Sequence, residues 1–570
     1  MSIPNYFIQS ILEYSINQNV KLNYLIGFIR KWTMISKQWN REIIHKLRIK
    51  KPIHLSRFTK SDKILKWIEL SNRYQIIYQV DLGDKVSSTW LSMIADRVTV
   101  ITNFGIKDED YLRQFSNIQL VTFKMSSETQ LNTLKSGYKG NGVEYQFSFA
   151  TLDYIFSNLV IEDNNLLEAM FNKNNFTSIS LYKFTIFPKQ KFSYQGMSLL
   201  NSLDLKFIGI EQNILVELVE KSPNLKRLIL VNVSIHRKSS IEPILDSIAL
   251  SNHKYLEYLF IKSELISPYN KILPIINRTT AKDVYINIPL SISQVSDVTT
   301  STISNTSIQS FSFRNNPMKT EDKTLDDFSL IQVWKDLSSL TSVTIHSDVE
   351  YIHYIKQMKN LKTLRIIDSV ITKTPTTDLL LQLDIGSLVD LTIVNKEILS
   401  ISKGLQDNHH LRVISIHKVE IEDTITILKS NHPTLIDITI KELIAIGRDL
   451  ILLFLQALQN NQTIRHCRIP FIDFTKLNIL DLLNYNYYSF IIDIIGVNRT
   501  LLSLELPHHK SSTPITQLQL NNFEQSLSSN PVFQQLHIPK TLKSDQKSIL
   551  KNILNKFSIQ YLNKSEILIM

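Results

Sequence analysis

The sequence predicts an α/β solenoid, with a parallel sheet on its concave side and helices on its convex side. Three observations predict it. First, one register recurs along the chain. SPNLKRLILVNV, SNHKYLEYLFI, DNHHLRVISI, SNHPTLIDITI, NNQTIRHCRI, VNRTLLSLEL and SNPVFQQLHI each pass from a polar turn, usually with Asn, to an apolar residue, two variable positions, an apolar residue, one variable position and another apolar residue. Second, the stretches between these segments place apolar residues at helical spacing, as in QNILVELVEKS (212–222), IEPILDSIAL (241–250) and DLILLFLQALQ (449–459). Third, 570 residues that are 43% apolar and 20% charged can build a large core, as several domains or as one long array.

The opening apolar positions are Leu200, Leu225, Leu256, Ile308, Leu340, Leu361, Leu388, Leu411, Leu435, Ile464, Leu501 and Phe533. Most lie about 21–32 residues apart, a repeat length typical of solenoids. Side chains alternate across a strand, so the apolar ones point inward and the variable ones line the concave face. The variable positions are Arg227, Ile229, Tyr258, Phe260, Lys262, Asp283, Tyr285 and Asn287, followed by Ser342, Thr344, His346, Thr363, Arg365, Asp437, Thr439, His466 and Arg468. Exposed aromatics beside arginines are typical binding anchors. Arg227, Tyr258, Phe260, Tyr285, Arg365, His466 and Arg468 are therefore the candidate target-binding residues. A register slip of one residue would turn them into core.

The only cysteine, Cys467, follows His466. In this register Cys467 takes the second apolar slot and His466 points to the other face. The pair is then neither a nucleophile with its base nor a chelating site, and Cys467 is a small core hydrophobe. One cysteine also excludes a disulfide framework and every multi-cysteine zinc motif.

With its L-x-x-L-x-L register, the chain resembles the leucine-rich repeat family, especially its cytosolic, ribonuclease-inhibitor-like branch. The resemblance spans 200–540 and departs from the family where Leu gives way to Ile, Val or Phe. It departs again where the Asn ladder expected after the strand is mostly missing. Residues 51–199 carry degenerate versions, DRVTVITNF, FSNIQLVTF and NFTSISLYKF. QVSDVTTSTISNTS (294–307) and RNNPMKTEDKTLDD (314–327) are expected to be exposed excursions. Residues 541–570 form a carboxy-terminal cap: SDQKSILKNILNKF gives one apolar helix face, and YLNKSEILIM a last strand.

Residues 1–50 do not follow the repeat. They are few for an independent core, so they should lean on the repeats or on a partner. IPNYFIQSILEY predicts a short helix after Pro4. Ile3-Pro4, Ile8, Ile11-Leu12 and then Ile35-Ser36-Lys37-Gln38-Trp39 resemble an F-box. The segment Gly27–Thr33 adds length in the middle, and Tyr14 stands where a leucine is usual. The resemblance implies docking on the adaptor subunit of a cullin–RING ubiquitin ligase, with Pro4, Ile8, Ile11, Leu12, Ile35 and Trp39 shared between that contact and a small core. The protein would then be the ligase's receptor for an unknown target protein. The alternative is a stand-alone repeat scaffold or inhibitor whose first fifty residues only cap the solenoid.

The sequence contains no G-x-x-x-x-G-K-S/T, H-E-x-x-H or G-x-S-x-G, so no enzyme and no cofactor are expected. SGYKGNGVEY reads as a turn and KDEDY as a solvated loop. His409-His410 and His508-His509 read as surface histidines at repeat boundaries, since a metal site needs three or four convergent ligands. The net charge of +11 is spread out and does not form a nucleic-acid stripe. HKLRIKK (45–51) reads as a solvated helix end rather than a nuclear signal. MSIPNYFIQSILEY lacks the pattern of a secretory leader, and no apolar run is long enough to span a bilayer. The expected location is the cytoplasm, with the nucleus as the alternative, and no membrane contact is expected.

Overall fold

A computed structural model describes residues 5–18, 21–34, 42–56, 59–83, 89–102, 114–125, 143–150, 160–172, 176–196, 199–235, 241–251, 253–265, 267–291, 302–314, 329–345, 352–367, 386–394, 401–406, 408–445, 447–473, 487–506, 515–538, 544–557 and 559–563. The chain divides into two compact units, Met1–Ala281 and Lys282–Met570.

In the first unit the main strands pair in parallel, each with the next in one series, and the short strands Val160–Ile161 and Ser234–Ile235 pair with Phe176–Ile186 and Ser202–Ile210. The series is Ile53–Leu55, Val80–Leu82, Val98–Thr102, Leu120–Met125, Glu144–Ala150, Phe176–Ile186, Ser202–Ile210, Arg227–Val231 and Tyr258–Lys262. In the second unit the series runs Asp283–Asn287, Ser310–Arg314, Ser342–Ile345, Thr363–Ile367, Asp390–Val394, Val413–Glu420, Asp437–Ile444, His466–Arg468, Ser503–Glu505, Gln535–Ile538 and Gln560–Asn563. Parallel neighbours need crossovers, and the predicted helices supply them as Gln212–Glu220, Glu242–Leu250 and Arg448–Asn460. Successive helices stack on each other: Ser402–Gln406, Ile421–Ser430, Arg448–Asn460, Tyr487–Val497 and Gln517–Ser529 in the second unit. Each unit is therefore an α/β solenoid, strand layer against helix layer.

The predicted register is the observed one. Every opening residue, from Leu200 to Phe533, is at most 4% exposed. Burying such a side chain contributes about 1.5–3 kcal/mol, so the column of opening residues is a large share of the core. Cys467 is buried in line with Ile438 and Leu504 on the flanking strands. The degenerate strands near 100, 120 and 180 are also present.

An asparagine ladder exists, but it stands before the strand, in the turn. At eight repeats the residue three positions ahead of the opening one is Ser222, His253, Asn305, Asn408, His432, Asn461, Asn498 or Asn530, each at most 7% exposed; ahead of Leu340 and Leu361 the buried Leu337 and Met358 stand there instead. Asn498 shows the device. Its Oδ1 accepts the backbone N–H of Thr500 at 2.9 Å and of Leu501 at 2.8 Å. Its Nδ2 donates to the carbonyls of Leu458 and Asn461 in the preceding repeat, both at 2.8 Å. Asn530 donates in the same way to Ile495 and Asn498, and Asn461 to Leu428. His432 replaces the amide: Nδ1 accepts from the N–H of Leu435 at 3.1 Å and Nε2 donates to the Leu405 carbonyl at 2.9 Å. One side chain thus satisfies turn N–H groups and helix-end carbonyls that burial would otherwise strand.

Two sequence expectations change. Residues 294–301 lie outside the described residues, and in 302–307 Thr302, Ser304, Thr306 and Ser307 are exposed as expected while Ile303 is fully buried and bridges to Trp334, and Asn305 is buried in a turn position. The segment 315–327 lies outside the described residues. HKLRIKK is not a helix end beyond Lys46. Leu47 and Ile49 are buried, Arg48 and Lys50 are exposed, and Arg48 bridges in parallel to Ile77, because apolar and basic residues alternate with the period of a strand.

The first helix, Asn5–Gln18, is tied to residues 46–50. Gln9 Nε2 donates to the Lys46 carbonyl, Glu13 accepts from the Arg48 N–H, and Asn17 accepts from the Lys50 N–H. The second, Leu22–Thr33, packs on helix Ser61–Arg73. The carboxy-terminal helix Ser544–Lys556 and strand Gln560–Asn563 are where the cap was expected.

Candidate binding surfaces

In the first unit three rows cross the helix-free face of the sheet. Ser202, Arg227 and Tyr258 form one, Asp204, Ile229 and Phe260 the next, and Lys206, Val231 and Lys262 the third. Arg227 is exposed and its guanidinium lies over the Tyr258 ring, 4.3 Å from the centroid. Tyr258, Phe260 and Lys262 are half-buried. Lys206 Nζ meets Asp204 Oδ2 at 2.9 Å. Ile229 does not line an open face as expected. It is 4% exposed, flanked in register by Asp204 and Phe260.

In the second unit Tyr285 is half-buried, while Asn287 is buried rather than presented. Ser342, Thr344, Thr363 and Arg365 are half-buried on the same face, and His346 lies outside the described residues. Tyr285 belongs to the second unit, whereas Tyr258 and Phe260 belong to the first.

Further along, this face becomes ionic. One row runs Asp390, Val413, Asp437, His466, Ser503, and the adjacent row runs Thr392, Ser415, Thr439, Arg468, Glu505, His537. Burial raises the Asp390 carboxyl above the usual range, and the Asp437 charge adds to it. Burial raises Asp437 too, against the pull of His466 and Arg468. Glu505, 5% exposed, sits between two bases: Arg468 Nε at 3.5 Å and His537 Nδ1 at 3.4 Å. Burial, then the Arg468 charge, pushes the His537 imidazole down to about 4. His466 and Arg468 were named from the sequence; Asp390, Glu505 and His537 were not. The same register, counted on from Leu388, Leu501 and Phe533, reaches all three.

Cys467 points away from this face, into the core, and burial pushes its thiol up to about 12. It therefore provides no thiolate to His466. Among the described residues no three His, Cys, Asp or Glu side chains are grouped to hold a metal ion, and no helix is long and apolar enough to cross a membrane. His409 and His410 are exposed; His508 and His509 lie outside the described residues.

The amino-terminal candidates split. Ile8 is half-buried, Ile11 is 50% exposed and Leu12 is in the core at 2%. Tyr14, one turn on from Ile11, is 70% exposed. Pro4, Ile35 and Trp39 lie outside the described residues.

No family model matches the chain, and no curated protein matches it. Among solved structures it is similar to the actin-binding site 2 of leiomodin-1, at 13% identity and a TM-score of 0.20. That match covers 36% of this chain and 93% of the other.

Proposed function

We propose that the chain is a protein-binding solenoid of the leucine-rich-repeat type, with no chemistry of its own, and that its first helices dock it on the adaptor of a cullin–RING ubiquitin ligase. The helix-free sheet faces then hold a target protein, and tethering raises the target's effective concentration near the ligase. The observation that favours docking is the outer side of helix Asn5–Gln18. Terminal caps of solenoids need a polar outer face. Here Ile11 and Tyr14, 50% and 70% exposed, share that side one turn apart. A cap alone gives no reason for them, whereas the F-box resemblance does.

The second reading is a stand-alone scaffold, and it too has an observation in its favour. Gln9, Glu13 and Asn17 tie the helix to residues 46–50, as a cap would be tied. The two readings part in a pull-down of purified ligase adaptor with the full chain and with Ile11→Asp/Tyr14→Asp. Circular dichroism first establishes that the variant is folded. Capture by the parent and loss in the variant supports the receptor. Absence of capture by the folded parent removes it and leaves the scaffold.

A further inference from the structure

We propose that the first unit carries a pocket for the phosphoryl group of a small, otherwise uncharged polar molecule. This inference is independent of the ligase reading. A cavity of about 410 Å³ opens beside the starts of strands Val80–Leu82, Val98–Thr102 and Leu120–Met125, a size that suits a small ligand. Seven of its eight lining residues carry polar groups, Ile118 being the exception, and although apolar atoms make up as much of the wall as polar ones, those groups offer hydrogen bonds to a polar occupant.

Arg97 is its central feature. The guanidinium is fixed twice, by Nη2 donating to Asn72 Oδ1 at 3.1 Å and by stacking 4.6 Å from the centroid of the Tyr78 ring. Nη1 is shielded from solvent and has no acceptor. Two more unsatisfied donors belong to the same wall. The Tyr78 hydroxyl and the Thr99 hydroxyl are buried without partners, in residues 4% and 5% exposed. Thr99 sits where the pairing slips, between Val98 opposite Val80 and Val100 opposite Asp81. A bulge of this kind re-aims a side chain and is characteristic of functional sites.

Buried donors without acceptors cost free energy, and one of them here carries charge. A tetrahedral oxyanion has the oxygens to accept from all three, and the bond to Arg97 is charge-assisted. Binding requires Arg97 to give up part of its fixed arrangement and, with Thr99, to turn its donor toward the cavity. The rim limits the rest of the ligand. Asp96 is exposed there and repels a second anionic group, while the amides of Gln79 and Gln119 suit hydroxyls. The fitting class is a phosphomonoester with a neutral, hydroxylated body.

Calorimetric titration of the full-length protein with glycerol phosphate tests this, with glycerol and acetate as comparison probes. Saturable binding of glycerol phosphate alone is expected. Arg97→Ala should weaken it by about tenfold or more, and Tyr78→Phe and Thr99→Val by about threefold to tenfold each. Circular dichroism and unfolding without ligand establish that each variant is folded; if Arg97→Ala is not, Thr99→Val carries the test. Absence of saturable binding overturns the site. So does equal binding by folded Arg97→Ala, which would mean general attraction to a basic chain. Equal binding of acetate overturns the phosphoryl assignment.

Discussion

Asn498 shows what a single buried amide does in this molecule. It closes the turn ahead of its own strand and ties that turn to the repeat before it, with four hydrogen bonds to backbone groups and a fifth from the Thr500 hydroxyl. Asn498→Ala leaves those backbone groups buried without partners and should cost about 2–4 kcal/mol in urea unfolding. Asn498→Asp keeps the shape but faces two carbonyl oxygens with an acceptor, so it should destabilise as well. His537 makes a different prediction, about pH. Its imidazole is held at about 4, below its ordinary ~6.5, so the fold keeps it neutral while the unfolded chain takes up a proton. The stability tied to that neutral ring is full above pH ~6.5 and is lost as pH falls toward 4. His537→Gln should flatten that limb of the pH–stability profile by on the order of 2 kcal/mol. Cys467, held at about 12 and 2% exposed, should resist thiol reagents at pH 8 in the native protein and react fully once unfolded.

At the scale of an element, helix Asn5–Gln18 has two sides with opposite prospects. Leu12 and Ile16 face the core, and Ile11 and Tyr14 face out. Leu12→Asp should loosen the amino-terminal helices, by about 3 kcal/mol or more, read as a lower melting temperature. Ile11→Asp should leave that temperature within a degree or two. Helix Gln517–Ser529 begins with a capping box, Thr516 with Gln519, so Thr516→Ala should cost about 1 kcal/mol. Much of this scale was legible in the sequence. Strand positions followed from the alternation after each opening residue, and helices from their apolar spacing. The turn residues were legible only as polar, because a buried Asn in a ladder and an exposed Asn in a loop have the same letter. Their burial depends on the repeat behind them. The same limit applies to Ile229 and Asn287, whose register was right but whose exposure depends on the residues beside them on adjacent strands. Tyr78, Arg97 and Thr99 escaped notice because the register there is degenerate and the slip at Val80/Asp81 is a pairing event, invisible along one strand.

Across the whole molecule, each strand rests on its sequence neighbours, so stability is a sum of local interfaces rather than the property of one core. Hydrogen exchange should therefore be slowest in long inner strands such as Phe176–Ile186 and Asp437–Ile444. It should be faster in the three-residue strand Ile53–Leu55 and in the last strand, Gln560–Asn563. Equal protection along each unit would contradict this. The turn ladder adds one consequence. Asn461 and Asn498 are 37 residues apart, Asn498 and Asn530 are 32, yet the same amide-to-carbonyl bond spans both steps. Spacing is measured forward from the rung to its strand, not back across the helix. The connections on the helix side are thus free to change length without shifting any strand's partner. A peptide tag or a foreign loop grafted between a helix end and the preceding strand meets no ruler there, whereas a single residue inserted between a rung and its opening leucine would throw the whole row out of step.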